Sequence, residues 1–226
     1  ANYRSGTVSV INTTTNKVVA TIEVAHYLSS IVYDPDTGYL YVGVLNLNAS
    51  DRQGEVGLYV IDPITGEVVA NISSVQGCVD SLLYDPLNHK IYISEPQGLV
   101  IFDPSNNSVL GLIPLSITVK VNARIGSGIL VSSGTDFVPY GMVTDHNGTC
   151  LYVADFGVSM VSVINVMMGK VVANITIGTR PEGIVYDPRN GYLYVSATNC
   201  DMIYAINPAT GDIAKVIYTP WFPAGL

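Results

Sequence analysis

The chain is short of charge. Of its 226 residues only 12% are Asp, Glu, Lys or Arg, about half the usual share, while 48% are apolar. Ten Lys and Arg stand against eighteen Asp and Glu, giving a net charge of −8 and a pI near 4.6. A chain with so few cations and no basic stripe cannot neutralise a run of phosphates, which argues against nucleic acid as a partner. No apolar run reaches the ~18 residues that a membrane-spanning helix requires. The opening ANYRSGTVSV lacks the charged-then-apolar pattern of a leader peptide. Histidine is scarce as well: His26, His89 and His146 are widely spaced and none has a cysteine at ligand distance. Neither a metal centre nor a cofactor is expected. Cys78, Cys150 and Cys200 form no Cys-X-X-Cys pair and read as isolated thiols. Gly-X-Ser-X-Gly is absent, and GSG at 126–128 lacks the strand–turn–helix setting of a phosphate loop. No stretch sustains a 3.6-residue apolar period, so helix is expected to be minor or absent.

What the chain does have is asparagine beside Ser and Thr. Sixteen asparagines would give roughly two Asn-X-Ser/Thr sequons by chance, and there are six, at Asn12, Asn48, Asn71, Asn106, Asn147 and Asn174. Glycans at these positions would solvate a surface poor in charge, and would place the protein outside the cytoplasm, at the cell surface or beyond it.

It also has repetition. IVYDPDTGYLYVG at Ile31 returns as LLYDPLNHKIYIS at Leu82, MVTDHNGTCLYVA at Met142 and IVYDPRNGYLYVS at Ile184. A second phrase interleaves with it: VSVINTTTNKVVATI, LYVIDPITGEVVANI, LVIFDPSNNSVLGLI, VSVINVMMGKVVANI and IYAINPATGDIAKVI. The undecorated period is about forty-two residues. In each phrase an apolar, β-branched run meets Asp/Asn-Pro-X-X-Gly or a relative, and a second apolar run follows. Asp or Asn accepts a bond from backbone two residues on, Pro presets φ, and Gly or Asn tolerates positive φ. Each phrase is therefore a hairpin of Val, Ile and Tyr strands, and two hairpins make a four-stranded unit. The strands are too apolar for a sheet with one wet face, so neighbouring sheets should cover both faces.

This predicts an all-β fold, a β-propeller of four-stranded antiparallel blades. Four full sheets are expected at about residues 27–73, 79–115, 137–177 and 181–218, as one domain or a portion of one. Two segments interrupt the rhythm: LNLNASDRQGEVG, carrying Asn48, and a Gly/Ser-punctuated stretch predicted as an inserted hairpin or arm over residues 120–136. YLYVG, LYVAD, YLYVS, SGTVSVINTTTNKVVATI and IVYDPRNGYLYV resemble the YVTN-type β-propeller repeat over nearly the whole chain. That resemblance implies an archaeal or bacterial cell-surface or surface-layer protein.

The ends are out of phase with the repeat. ANYRSGTVSVIN aligns with ADFGVSMVSVIN, so the chain opens on the third and fourth strands of a unit. TPWFPAGL aligns with the start of a first strand, to which Trp221 would belong. Three explanations are open: a portion of a longer chain, completion by another molecule through strand pairing, or local closure by the termini. Among acidic residues, Asp34, Asp62, Asp85, Asp103, Asp145 and Asp187 are expected to serve turns. Asp80 and Glu182 fall at matching places ahead of a first strand, and Asp155 and Asp201 fall in loops of the same end. The functional expectation is a secreted, glycosylated structural or adhesive module of a surface layer or filament, associating with itself or with other surface proteins. The alternative is a lactonase- or dehydrogenase-like enzyme with a site at the channel mouth that includes Asp80 and Glu182.

Overall fold

A computed structural model describes residues 1–45, 57–75, 77–121, 128–133, 138–177, 180–223 and 225. The fold is all-β and every sheet is antiparallel. A two-stranded ladder, β1 (Thr7–Asn12) with β2 (Lys17–Glu23), comes first. Four-stranded sheets in simple sequential order follow: β3 (Leu28–Tyr33), β4 (Leu40–Val44), β5 (Gly57–Ile61) and β6 (Val68–Ile72), then β7 (Leu82–Asp85), β8 (Lys90–Glu95), β9 (Gly98–Asp103) and β10 (Ser108–Pro114). After a hairpin of β11 (Ser116–Val121) and β12 (Gly128–Ser133) come two more: β13 (Pro139–Thr144), β14 (Cys150–Asp155), β15 (Met160–Asn165) and β16 (Lys170–Thr176), and β17 (Pro181–Asp187), β18 (Tyr192–Ala197), β19 (Met202–Ile206) and β20 (Ile213–Tyr218). Among the described residues the only helical segment is one 3₁₀ turn, Thr198–Cys200. The loop carrying Asn48 lies outside the described residues.

The hairpin turns form as their chemistry dictates. Asp34 accepts the Asp36 N–H at 2.9 Å through Oδ1, and its carbonyl accepts the Gly38 N–H at 2.9 Å. Asp62, Asp187 and Asn207 repeat both bonds with Gly66, Gly191 and Gly211. The residue four places on sits in the left-handed region, where Gly carries no Cβ penalty. Asn16, His89 and Asn107 take the same place with φ of 54°, 55° and 56°, a conformation in which Asn and His are enriched.

The chain divides into two compact units, Ala1–Glu95 with Val100–Gly111, and Pro96–Leu99 with Leu112–Leu226. In the first unit, β5 is buried at all five positions because it is covered from both sides. Tyr59 and Ile61 pack with Val8, Ile22 and Val42, while Leu58 and Val60 pack with Tyr41, Leu82, Ile93 and Phe102. Within the second unit Val161, Val163, Ile184, Leu193, Val195 and Ile206 form one core between the sheets of β13–β16 and β17–β20. Side-chain alternation sends successive residues to opposite faces, so a strand apolar throughout is what such stacking requires.

One irregularity recurs. The pairing of the third and fourth strands slips by a residue between Val10 and Ile11, Val60 and Ile61, Val163 and Ile164, and Ala205 and Ile206. Each slip is a β-bulge whose extra residue lies on the fourth strand: Val19, Val69, Val172 and Ala214.

The C-terminal segment departs from expectation. Trp221 starts no strand: it sits in a bend and is 79% exposed. Its stretch is drawn back onto the loop after β18, where the Thr219 N–H reaches the Asp201 carbonyl at 2.7 Å and the Phe222 N–H reaches Asp201 Oδ1 at 2.8 Å. Asp201 has a left-handed backbone, which turns its carbonyl and carboxylate toward that segment. Local hydrogen bonding thus decides the path that the repeat pattern assigned to a strand.

Candidate functional site

Four features merit a functional reading, and the first is one that sequence inspection passes over. The turn between β3 and β4 places Asp36 beside Tyr84 of β7 and His89 of the turn that follows it. Tyr84 Oη donates to Asp36 Oδ2 at 2.6 Å and lies 3.3 Å from His89 Nδ1, and His89 Nδ1 also contacts Asp36 Oδ2 directly. His89 is therefore no isolated surface histidine. The Tyr84 hydroxyl and then His89 hold the Asp36 carboxyl below the usual carboxylate range, and burial followed by Asp36 pushes the Tyr84 phenol up. The cluster is open to solvent, with Asp36 and His89 more than half exposed. It clasps adjacent sheets of one unit.

The second feature is the set of carboxylates at the opposite ends of the first strands. Asp80 is pushed up to about 6 by burial. Glu95, at the end of β8, is also raised by burial, an effect partly offset by the Gly77 N–H that it accepts at 3.3 Å. Asp155, expected in a loop, is instead the last residue of β14 and fully buried. Burial pushes its carboxyl up to about 6 against the pull of the Val138, Val158 and Gly157 N–H groups. Oδ1 accepts from Val138 at 3.0 Å and from Gly157 at 3.1 Å, whereas Oδ2 is buried with no hydrogen-bond partner. Glu182 accepts from Thr198 Oγ1 at 2.5 Å, and Asp201 is engaged by the C-terminal segment. Asp80 and Glu95 belong to the first unit, the other three to the second. Carboxyls held near 6 exchange protons readily at mildly acid pH. Among the described residues no three His, Cys, Asp or Glu gather closely enough to hold a metal ion. Cys78, Cys150 and Cys200 form no disulfide, and each is partly covered.

The third feature is the sequons. Asn12, Asn71, Asn106 and Asn147 are exposed: Asn12 ends β1, Asn71 lies on β6, and Asn106 and Asn147 lie in hairpin turns. Asn12 Oδ1 accepts the Thr14 and Thr15 N–H groups, and Asn106 Oδ1 accepts its own sequon hydroxyl from Ser108 at 2.6 Å. Asn174, on β16, is half-buried, and its Oδ1 accepts from Ser162 at 3.0 Å. Around these positions the fourth strands present bare aliphatic side chains: Val18, Val19, Val68, Val69, Val109, Leu110, Val172 and Ile213 are all exposed.

The fourth feature is the exposure of Ile11 on β1. Repeat position by position, Ile11 corresponds to Ile61, Phe102, Ile164 and Ile206. Those four are 0% exposed and Ile11 is 57% exposed. Among the described residues β1 also makes a rung with Asn2, opposite Thr7, closed by the Asn2 N–H on the Thr7 carbonyl at 2.8 Å. It is the same rung that Asp155 makes with Met160. Asn2 Nδ2 adds bonds to Thr7 Oγ1 and Ser9 Oγ.

No protein-family profile and no curated protein matches this sequence. Among solved structures, the chain is similar to hydrazine synthase of Kuenenia stuttgartiensis. The two share 12% identity with a TM-score of 0.57, over 97% of this chain and 82% of that one. At that identity the likeness is one of fold alone.

Proposed function

We propose that this chain is a cell-surface β-propeller of the YVTN-repeat type, secreted and N-glycosylated, that serves as a structural or adhesive module of a surface layer or extracellular filament. The carrying observation is the pairing of exposed sequons with exposed aliphatic strands. Uncovered Val, Leu and Ile along five outer strands are a liability in water unless something shields them. Hydrated glycans rooted at Asn12, Asn71, Asn106 and Asn147 would supply that shield where the sequence offers little charge. Stacked four-stranded sheets with Asx turns, one of them with its third strand buried on both faces, support the propeller reading.

Glycopeptide mass spectrometry on protein from its native source tests the reading. Occupancy is expected at Asn12, Asn71, Asn106 and Asn147, and lower at Asn174, which is half-buried. Bare asparagines at all of these sites would overturn it.

A further inference from the structure

We propose that Asp36, Tyr84 and His89 form a clasp tightened by a proton: when His89 takes up a second proton at Nε2, its contact with Asp36 becomes an ion pair, and the sheet of β3–β6 is held more firmly to the sheet of β7–β10. Asp36 lies in the turn after β3 and His89 in the turn after β7, 53 residues further along the chain. Tyr84 is anchored in the packing. Its ring lies against the apolar cluster that joins these two sheets, and its hydroxyl is bonded to Asp36 Oδ2 at 2.6 Å. The repeat sets His89 apart. Sibling hairpins fill its turn position with Gly38, Gly66, Gly191 and Gly211, and a φ of 55° costs His89 backbone energy that Gly avoids. The imidazole placed there is the one that meets Asp36 and Tyr84.

The hydrogen-bond pattern fixes where the proton goes. An ionised Asp36 only accepts, so Tyr84 Oη and His89 Nδ1 must both donate to its Oδ2. Neutral His89 therefore carries its proton on Nδ1 and leaves Nε2 bare. The side chain is 60% exposed, so the second proton enters at Nε2 from solvent and breaks no existing bond. A neutral donor becomes a charged one, and charge-assisted bonds are the stronger. The charges on the packed elements favour this step. Asp34 and Asp36 of the first turn, Asp85 of β7 and Asp103 of β9 are acidic, and the cation among them, Lys90 of β8, is paired with Asp103 at 3.1 Å. The Tyr84 phenol, pushed up by burial and then by Asp36, keeps its proton throughout. The clasp is then tightest in mildly acid solution and weaker above about pH 7.5, where imidazoles are neutral. In strong acid it is lost, once Asp36, held low by Tyr84 and then His89, takes up a proton of its own. None of this depends on glycans or on location at a cell surface.

The test compares the intact chain with its Asp36→Asn, His89→Asn and doubly substituted forms. His89→Asn introduces a residue that the same turn position already accepts at Asn16 and Asn107, so the circular dichroism spectrum should stay unchanged. Urea unfolding of all four proteins at pH 5.5 and pH 8 gives the Asp36–His89 coupling as a factor in the unfolding equilibrium. That factor is expected to be about threefold larger at the lower pH, the scale of an exposed ion pair. Asp80 and Asp155 also titrate near this range, but they are common to all four proteins and cancel. Nitrogen NMR of the imidazole needs no variant: on the unaltered chain it should show the Nδ1–H tautomer at pH 8 and proton uptake at Nε2 as pH falls. Equal coupling at the two pH values, larger coupling at pH 8, or a neutral His89 with its proton on Nε2 would each overturn the proposal.

Discussion

Asp155 and Asp36 show how two carboxylates in one fold respond to pH with opposite signs. The folded-state carboxyl of Asp155 is raised from 3.8 to about 6, so between these values the folded chain binds more protons than the unfolded one. Its contribution to stability therefore falls as pH rises from about 4 to about 6, and is least favourable above that. Asp155→Asn, which removes the buried charge, is expected to stabilise the protein on the order of 1–2 kcal/mol at pH 7.5, the gain vanishing below about pH 4. Denaturant melts at the two pH values check it. Asp36 runs the other way. Its carboxyl is lowered by Tyr84 and His89, so its contribution is present above the ordinary carboxylate range and is lost as pH falls through it. Asp36→Asn should lower the melting temperature slightly at pH 7 and not at all near pH 2, as thermal scans would show. The turn carboxylates were legible from sequence because their bonds close within five residues. The Asp36–His89 contact spans 53 residues and depends on two turns arriving side by side, which no local pattern encodes. The burial of Asp155 was likewise hidden, since its phrase reads as the start of a loop.

Elements carry a sharper lesson, because the repeat holds sequence nearly constant while surroundings change. Ile61 and Ile11 occupy the same place in their hairpins, yet one is enclosed and the other bare. Ile61→Ala should cost about 2–5 kcal/mol as a cavity in a packed core, and Ile11→Ala no more than about 0.5 kcal/mol. Paired denaturation curves decide it; similar costs would mean that β1 is covered in solution. Strand content, order and turn positions could all be read in advance, since apolar alternation and Asx-Pro-X-X-Gly punctuation are local signals. The bulges could not: VVATI and VVANI look like unbroken strands, and the slipped residue is visible only against its partner. The C-terminal stretch escaped for another reason. Its pattern is that of a first strand, but Asp201 competes for its N–H groups and wins.

At the scale of the whole molecule, sparse charge leaves few ion pairs to lean on. Among the described residues they include His89–Asp36 and Lys90–Asp103. Cohesion comes instead from sheets that bury each other within each unit, and solubility must come from elsewhere. Protein made in a host that attaches no N-glycans is expected to aggregate at lower concentration than the native form, as light scattering across a dilution series would register. Equal solubility of the two forms would remove the reason for a sugar coat.

The recurring bulge has a consequence for how such molecules could join. An extra residue on the fourth strand bends it, so that its outward amides and carbonyls no longer line up as an even row for a newcomer. β2, β6, β16 and β20 are all blunted in this way, at Val19, Val69, Val172 and Ala214. Those four outer rims are therefore poor templates for pairing with a second copy of the chain.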